Sequence, residues 1–190
     1  MKFYSSDITK LLGVKRTTQQ QWMDLGYIAP SIQRAEGSGT KNVFSLNDIY
    51  RIAIFMRLTE GGFSRDEAAK CIKGTMGWAF PRDPKTVRHP DYLGIVRVNE
   101  GGEYQVIHSA YLEKSKLRDW IQLQDMDFDD IFILNVRKVT DEVDKKVKQT
   151  IMVISDDMFI QALTNPTPEG QSAYKDRVLR FANEERGEEG

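Results

Sequence analysis

A single cysteine, Cys71, stands in a chain of 190 residues, so an internal disulfide framework is excluded. The histidines number two, His89 and His108. Sensing of soft metals needs two or more converging thiolates, and one thiol per chain does not supply them, so neither a metal nor another cofactor is expected. No apolar run approaches the roughly 20 residues that span a bilayer. No charged start leads into an apolar stretch of the signal-peptide kind either, and the expectation is a cytoplasmic chain. Catalytic signatures are missing as well: there is no Walker loop, no Gly-x-Ser-x-Gly and no His-Glu-x-x-His. Asp129-Asp130 and Asp156-Asp157 are paired carboxylates, but both pairs sit where a helix start wants negative charge. An enzyme is therefore not expected, and no internal repeat is present.

Apolar residues make up 40 % of the chain, enough for a packed core. The net charge of −1 conceals an asymmetry: residues 1–75 hold 11 Lys/Arg against 7 Asp/Glu, and the remainder 16 against 21. A cationic first part beside an anionic remainder fits a nucleic-acid-binding region joined to one that stays off the duplex.

The cationic part opens with Ser5-Ser6-Asp7, a capping signal for a short helix with Ile8, Leu11 and Leu12 on one face. Gly13 makes a tight turn, and Val14 to Trp22 read as a second helix that Gly26 and Pro30 bring to an end. The exposed face of that helix carries Lys15, Arg16, Thr17, Gln20 and Gln21, side chains suited to phosphates and base edges. The run Gln19-Gln20-Gln21 suggests adenine-containing half-sites, because glutamine pairs with adenine N6 and N7. Trp22 is expected to pack its ring in the core while its N–H lies near the DNA backbone.

Residues 33–44 read as a wing, with Gly37-Ser38-Gly39 as the hairpin turn, short strands on either side, and Thr40, Lys41 and Asn42 placed to meet phosphates. Ser45-Leu46-Asn47-Asp48 starts a third helix that reaches about Glu60, and Ser64-Arg65-Asp66-Glu67 starts a fourth through Cys71-Ile72.

In this order and spacing, residues 1–75 resemble the MerR family of transcription regulators. The resemblance rests on Gly13-Val14, Thr18 and Trp22, the exit Gly26, Ile28 and Pro30, the pair Phe44-Ser45 with Asp48, and Gly62-Phe63-Ser64. Gln19-Gln20 replaces the family's Leu-Arg and Asn42 its wing arginine, leaving Arg16, Arg34 and Lys41 as the substitute phosphate anchors. The resemblance implies a winged helix-turn-helix and a homodimer that binds double-stranded DNA at a palindromic promoter. It also implies distortion of that DNA for RNA polymerase. Lys15, Arg16, Thr17, Thr18, Gln20, Gln21 and Trp22 would then meet the major groove, with Arg34, Lys41 and Asn42 anchoring the wing. The same module serves DNA-architectural proteins of mobile elements, such as excisionases and phage packaging subunits. A protein–protein adaptor is a third reading.

The expected organisation is α+β: a winged helix-turn-helix over 1–75, a Pro/Gly-rich linker over 76–91, and a small α+β domain over 92–190 for dimerisation or effector binding. In that domain Tyr92–Val98 and Tyr104–His108 flank a glycine turn as a hairpin, and Leu112–Leu123 looks helical. Ile131–Val136 reads either as a third strand or as part of one helix over 129–151. Val139, Val143, Val147 and Ile151 recur every four residues as an apolar stripe that docks either on its own sheet or, the preferred reading, on a second copy. A further helix is expected around Asp156–Leu163, a break at Asn165–Pro168, and another helix from about Gln171 to Glu185. Tyr92, Tyr104, Tyr111, Trp120, Phe128, Phe132 and Phe159 form either the core of this domain or the lining of an effector pocket, whose ligand the sequence does not name.

Overall fold

A computed structural model describes residues 1–37, 39–74, 90–101, 103–122 and 128–164, the last stretch from 151 by its backbone. The chain is α+β. Strand β1 (Phe3–Tyr4) leads into α1 (Ser5–Leu12), which turns into α2 (Arg16–Asp24). Tyr4, rather than Ser5 or Ser6, occupies the cap position of α1, and its N–H donates to Asp7 Oδ2 at 2.7 Å. At Gly13 the backbone takes φ 74°, a left-handed conformation that costs glycine little, and the Gly13 N–H closes α1 on the Thr9 carbonyl.

Strand β2 (Val43–Phe44) is followed by α3 (Leu46–Glu60) and α4 (Arg65–Gly74). Ser45 caps α3: its Oγ accepts from the Asp48 N–H, and Asp48 Oδ2 accepts from the Ser45 N–H. Ser64 and Glu67 repeat the arrangement at α4. The core of this module is Ile8, Leu11, Phe44, Ile49, Ile52, Phe55 and Leu58, all buried.

The later strands form one antiparallel sheet in the order β4 (Glu103–Leu112), β3 (Tyr92–Glu100), β5 (Asp130–Asn135). Central β3 is covered on both faces, which explains the continuous apolar run Leu93 to Val96 broken only by a glycine. On one face Phe132, paired with Ile95, meets Phe63 edge-on at 5.0 Å between centroids. The Arg97 guanidinium lies 4.4 Å from the centre of the same Phe63 ring and pairs with Asp130. On the other face Trp120, from α5 (Leu117–Gln122), covers Gly94 so closely that a Cβ there would fall 2.6 Å from the indole. The helical module and the sheet belong to one compact unit, Met1–Asp144; Lys145–Gly190 forms a second.

Helix α6 (Val136–Thr164) begins directly after β5. Its start is fastened to α3: the buried Tyr50 hydroxyl donates to Asp144, and Arg57 pairs with Glu142 at 2.7 Å. Burial of Tyr50, then its bond to Asp144, pushes that phenol well above its ordinary pKa.

Several expectations change. The run 129–151 is a strand followed by a helix, not one helix, because residues 130–135 pair with β3 throughout. The helix expected from 137 and the one around Asp156–Leu163 are a single helix, α6. Leu112 ends β4, and a short 3₁₀ turn at Lys114–Lys116 precedes α5, so the helix expected over Leu112–Leu123 is confined to Leu117–Gln122. Val136, Val139 and Val143 are already buried within Met1–Asp144, so this stretch of the stripe docks on its own unit and is no free face for a second copy. The Ile151 side chain, most of the linker 76–91, and the helix expected over Gln171–Glu185 lie outside the described residues.

Candidate nucleic-acid interface

Helix α2 divides its side chains cleanly. Gln19, Trp22 and Met23, spaced three and four apart, are buried, while Arg16, Thr17, Gln20 and Gln21 are exposed. Lys15, at the cap position, is exposed too, and Thr18 is half-buried at the border. The outer face therefore carries two cations, a hydroxyl and two amides, with the exposed carboxylate of Asp24 at its C-terminal end and no large apolar side chain among them. Gln20 is engaged locally, its Nε2 donating to Asp24 Oδ1 at 2.8 Å one turn on.

Trp22 of the expected reading set, and Gln19 of the glutamine run, face inward. Trp22 is 8 % exposed and meets Phe55 edge-on at 4.9 Å. Its indole nitrogen is buried as well, so the N–H does not reach the exposed face of α2. Gln19 is 0 % exposed, which removes it from the glutamine run as a base reader. Its Nε2 instead donates to the Ser5 carbonyl (3.1 Å), Thr9 Oγ1 (2.9 Å) and the Val14 carbonyl (2.8 Å). The spacing from Trp22 and Met23 was the signal in the sequence; the polar side chain disguised it.

The wing is built differently from the expected hairpin. Val43–Phe44 pairs with Phe3–Tyr4 of the N-terminus, and the opposite arm contributes only a bridge from Gln33 to Val43. The Ala35 N–H donates to Asn42 Oδ1 (2.8 Å), and the Glu36 N–H to Thr40 Oγ1 (2.8 Å). Asn42 and Thr40 thus brace the wing through their oxygens. Arg34 and Lys41 are exposed beside them, with Lys41 Nζ 5.8 Å from the centre of the exposed Tyr4 ring. Ser38, at the tip, lies outside the described residues.

Asp48 joins the wing base to the core. At 2 % exposure, its Oδ2 accepts from the N–H (2.9 Å) and hydroxyl (2.6 Å) of Ser31, besides capping α3. The chain leaving α2 is therefore held to the start of α3 by a buried carboxylate, which fixes where the wing begins.

The remaining candidates do not converge. Cys71 is buried in α4, and desolvation, then the nearby Glu67, pushes its thiol up to about 12. His108 is exposed on β4 and stacks on Trp120 at 6.0 Å, while His89 lies outside the described residues. Among the described residues no three His, Cys, Asp or Glu side chains gather as a metal site would require. The aromatics split between the sheet's faces, Phe132 toward α3 and α4 and Trp120 away from them; Tyr104 and Phe159 lie outside the described side chains. An open groove of about 880 Å³ runs between α4 and the sheet, lined by Phe63, Ser64, Glu67, Lys70, Arg97 and Gln105. No helix among the described residues is long and apolar enough to cross a membrane. No protein-family model and no curated protein matches the chain.

Proposed function

We propose that this chain is a sequence-specific, DNA-binding transcription regulator of the MerR type, working in the cytoplasm and not as an enzyme. The observation that carries the reading is the exposed face of α2, where Lys15, Arg16, Thr17, Gln20 and Gln21 stand together while the opposite face is fixed in the core. A helix presented this way suits the major groove, its amides meeting base edges and its cations phosphates. Arg34 and Lys41 add two exposed cations on the wing, where they suit the flanking backbone.

One such module contacts too little DNA for tight binding, so the reading includes a homodimer on a palindromic promoter site. The two copies meet through a surface other than the valine stripe from Val136 to Val143. Distortion of the site, and contact with RNA polymerase on it, belong to the same reading. An effector has no assigned pocket.

Selection of duplexes from a random library by the full-length chain, followed by footprinting on the winning sequence, tests the proposal. One protected palindrome with two half-sites supports it. Several tandem sites favour a DNA-architectural protein of a mobile element, and no protection at any salt concentration leaves the adaptor reading.

A further inference from the structure

Gln19 is a costly residue for its position. It is fully buried, and its Oε1 has no donor among the described residues, a loss that an apolar side chain of similar size would avoid. Packing therefore does not require it. Its amide instead reaches three acceptors on three parts of the scaffold: the Ser5 carbonyl in the first turn of α1, Thr9 Oγ1 in the middle of α1, and the Val14 carbonyl in the turn between the helices. Thr9 closes the set, its hydroxyl donating to the Val14 carbonyl at 2.8 Å.

We infer that Gln19 is a positioning residue that fixes the rotation of α2 about its own axis and so sets which side chains reach the base edges. The inference rests on the DNA-binding reading above and deepens it. Apolar packing is non-directional and tolerates small rotations of a helix. The two N–H groups of one planar amide, shared among three separate backbone and side-chain acceptors, do not, because hydrogen bonds weaken quickly with angle. The lever is long enough to matter: side chains stand about 5–6 Å from the helix axis, so a rotation of roughly 10° shifts their ends by about 1 Å. A shift of that size takes a base contact out of the hydrogen-bonding range of about 2.7–3.2 Å. Phosphate contacts from long, flexible cations follow the shift with little loss.

Gln19→Leu separates positioning from folding. The Val14 carbonyl keeps its bond from Thr9, and the unpartnered Oε1 disappears, so the variant is expected to fold and to melt no lower than wild type. The full-length wild type and variant are titrated against the duplex selected by the wild type and against an unrelated duplex of equal length. The expected result is a specific-to-unrelated affinity ratio reduced roughly tenfold, the size of one lost base contact, with unrelated binding and its salt dependence unchanged. Thr9→Val, which removes one of the three acceptors but leaves Gln19 in place, is expected to reduce the ratio by a smaller factor and decides the matter if the leucine variant does not fold. A ratio per folded molecule unchanged in the folded variants overturns the inference and leaves the DNA-binding reading intact. A wild type that retains no duplex overturns both.

Discussion

Helix α2 buries one side and gives the other to solvent, whereas strand β3 is covered on both. On α2 the inner side chains Gln19 and Trp22 lock against α1 and α3, and the outer cations and amides, apart from the exposed Gln20–Asp24 bond, hold up nothing. On β3 the run Leu93 to Val96 is buried from both faces, with Phe132 working from one and Trp120 from the other. The difference teaches where this chain has freedom. Residues of the outer α2 face are available for a partner because stability does not depend on them. Leu93 to Val96 of β3 are not available at all.

The contrast can be broken most severely from beneath α2. Phe55 is fully buried, with Trp22 edge-on at 4.9 Å and Tyr27 stacked at 5.9 Å. Phe55→Ala is expected to cost about 3–5 kcal/mol, read as a lower denaturation midpoint, and to release the inner face of α2 with it. On the sheet, Gly94→Ala drives a methyl group into the Trp120 ring and is expected to cost about 1–3 kcal/mol, with a changed Trp signal in near-ultraviolet circular dichroism.

A smaller effect tests the attachment of α6. Tyr50→Phe removes the bond to Asp144 and is expected to cost about 1 kcal/mol near neutral pH. The sign with pH follows from the raised phenol: the folded chain keeps its proton where the unfolded chain, with an ordinary pKa of 10.0, gives it up. The advantage of wild type over the variant is full below that pH and shrinks as pH climbs above it. Denaturation midpoints at a series of alkaline pH values check this, and a gap that widens there contradicts it. The smallest stability effect belongs to the outer face: Arg16→Ala is expected to stay within about 0.5 kcal/mol of wild type. The same substitution is expected to reduce the salt slope of DNA binding by about two units for the bound dimer, one for each protomer.

The helical module was largely legible because its signals are local. Ser45 with Asp48 and Ser64 with Glu67 mark helix starts three residues apart, and the left-handed Gly13 marks a turn by its chemistry alone. What stayed hidden depends on distant partners. The pairing of Phe3–Tyr4 with Val43–Phe44 joins residues about forty apart, so the sequence showed the wing's returning strand paired only across its own hairpin when it also pairs with the N-terminus. Ile131–Leu134 is a short apolar run that fits either a helix or a strand, and only its register against β3 decides. The α2 face was legible at Arg16, Thr17, Gln20 and Gln21. The glutamine run was too long by one: Gln19, counted with Gln20 and Gln21 as a pointer to adenine, faces inward, where acceptors in α1 and the turn take its amide.

The most direct test of the account is the salt dependence of duplex binding by the full-length chain, compared with a variant in which Lys15, Arg16, Arg34 and Lys41 are replaced together by alanine. The account predicts that wild-type affinity falls linearly on a log–log plot and that the variant, folded as before, has a slope shallower by about 7 for the bound dimer, or about 3 to 4 for each protomer. Identical slopes for the two proteins, or wild-type affinity indifferent to salt, would contradict it.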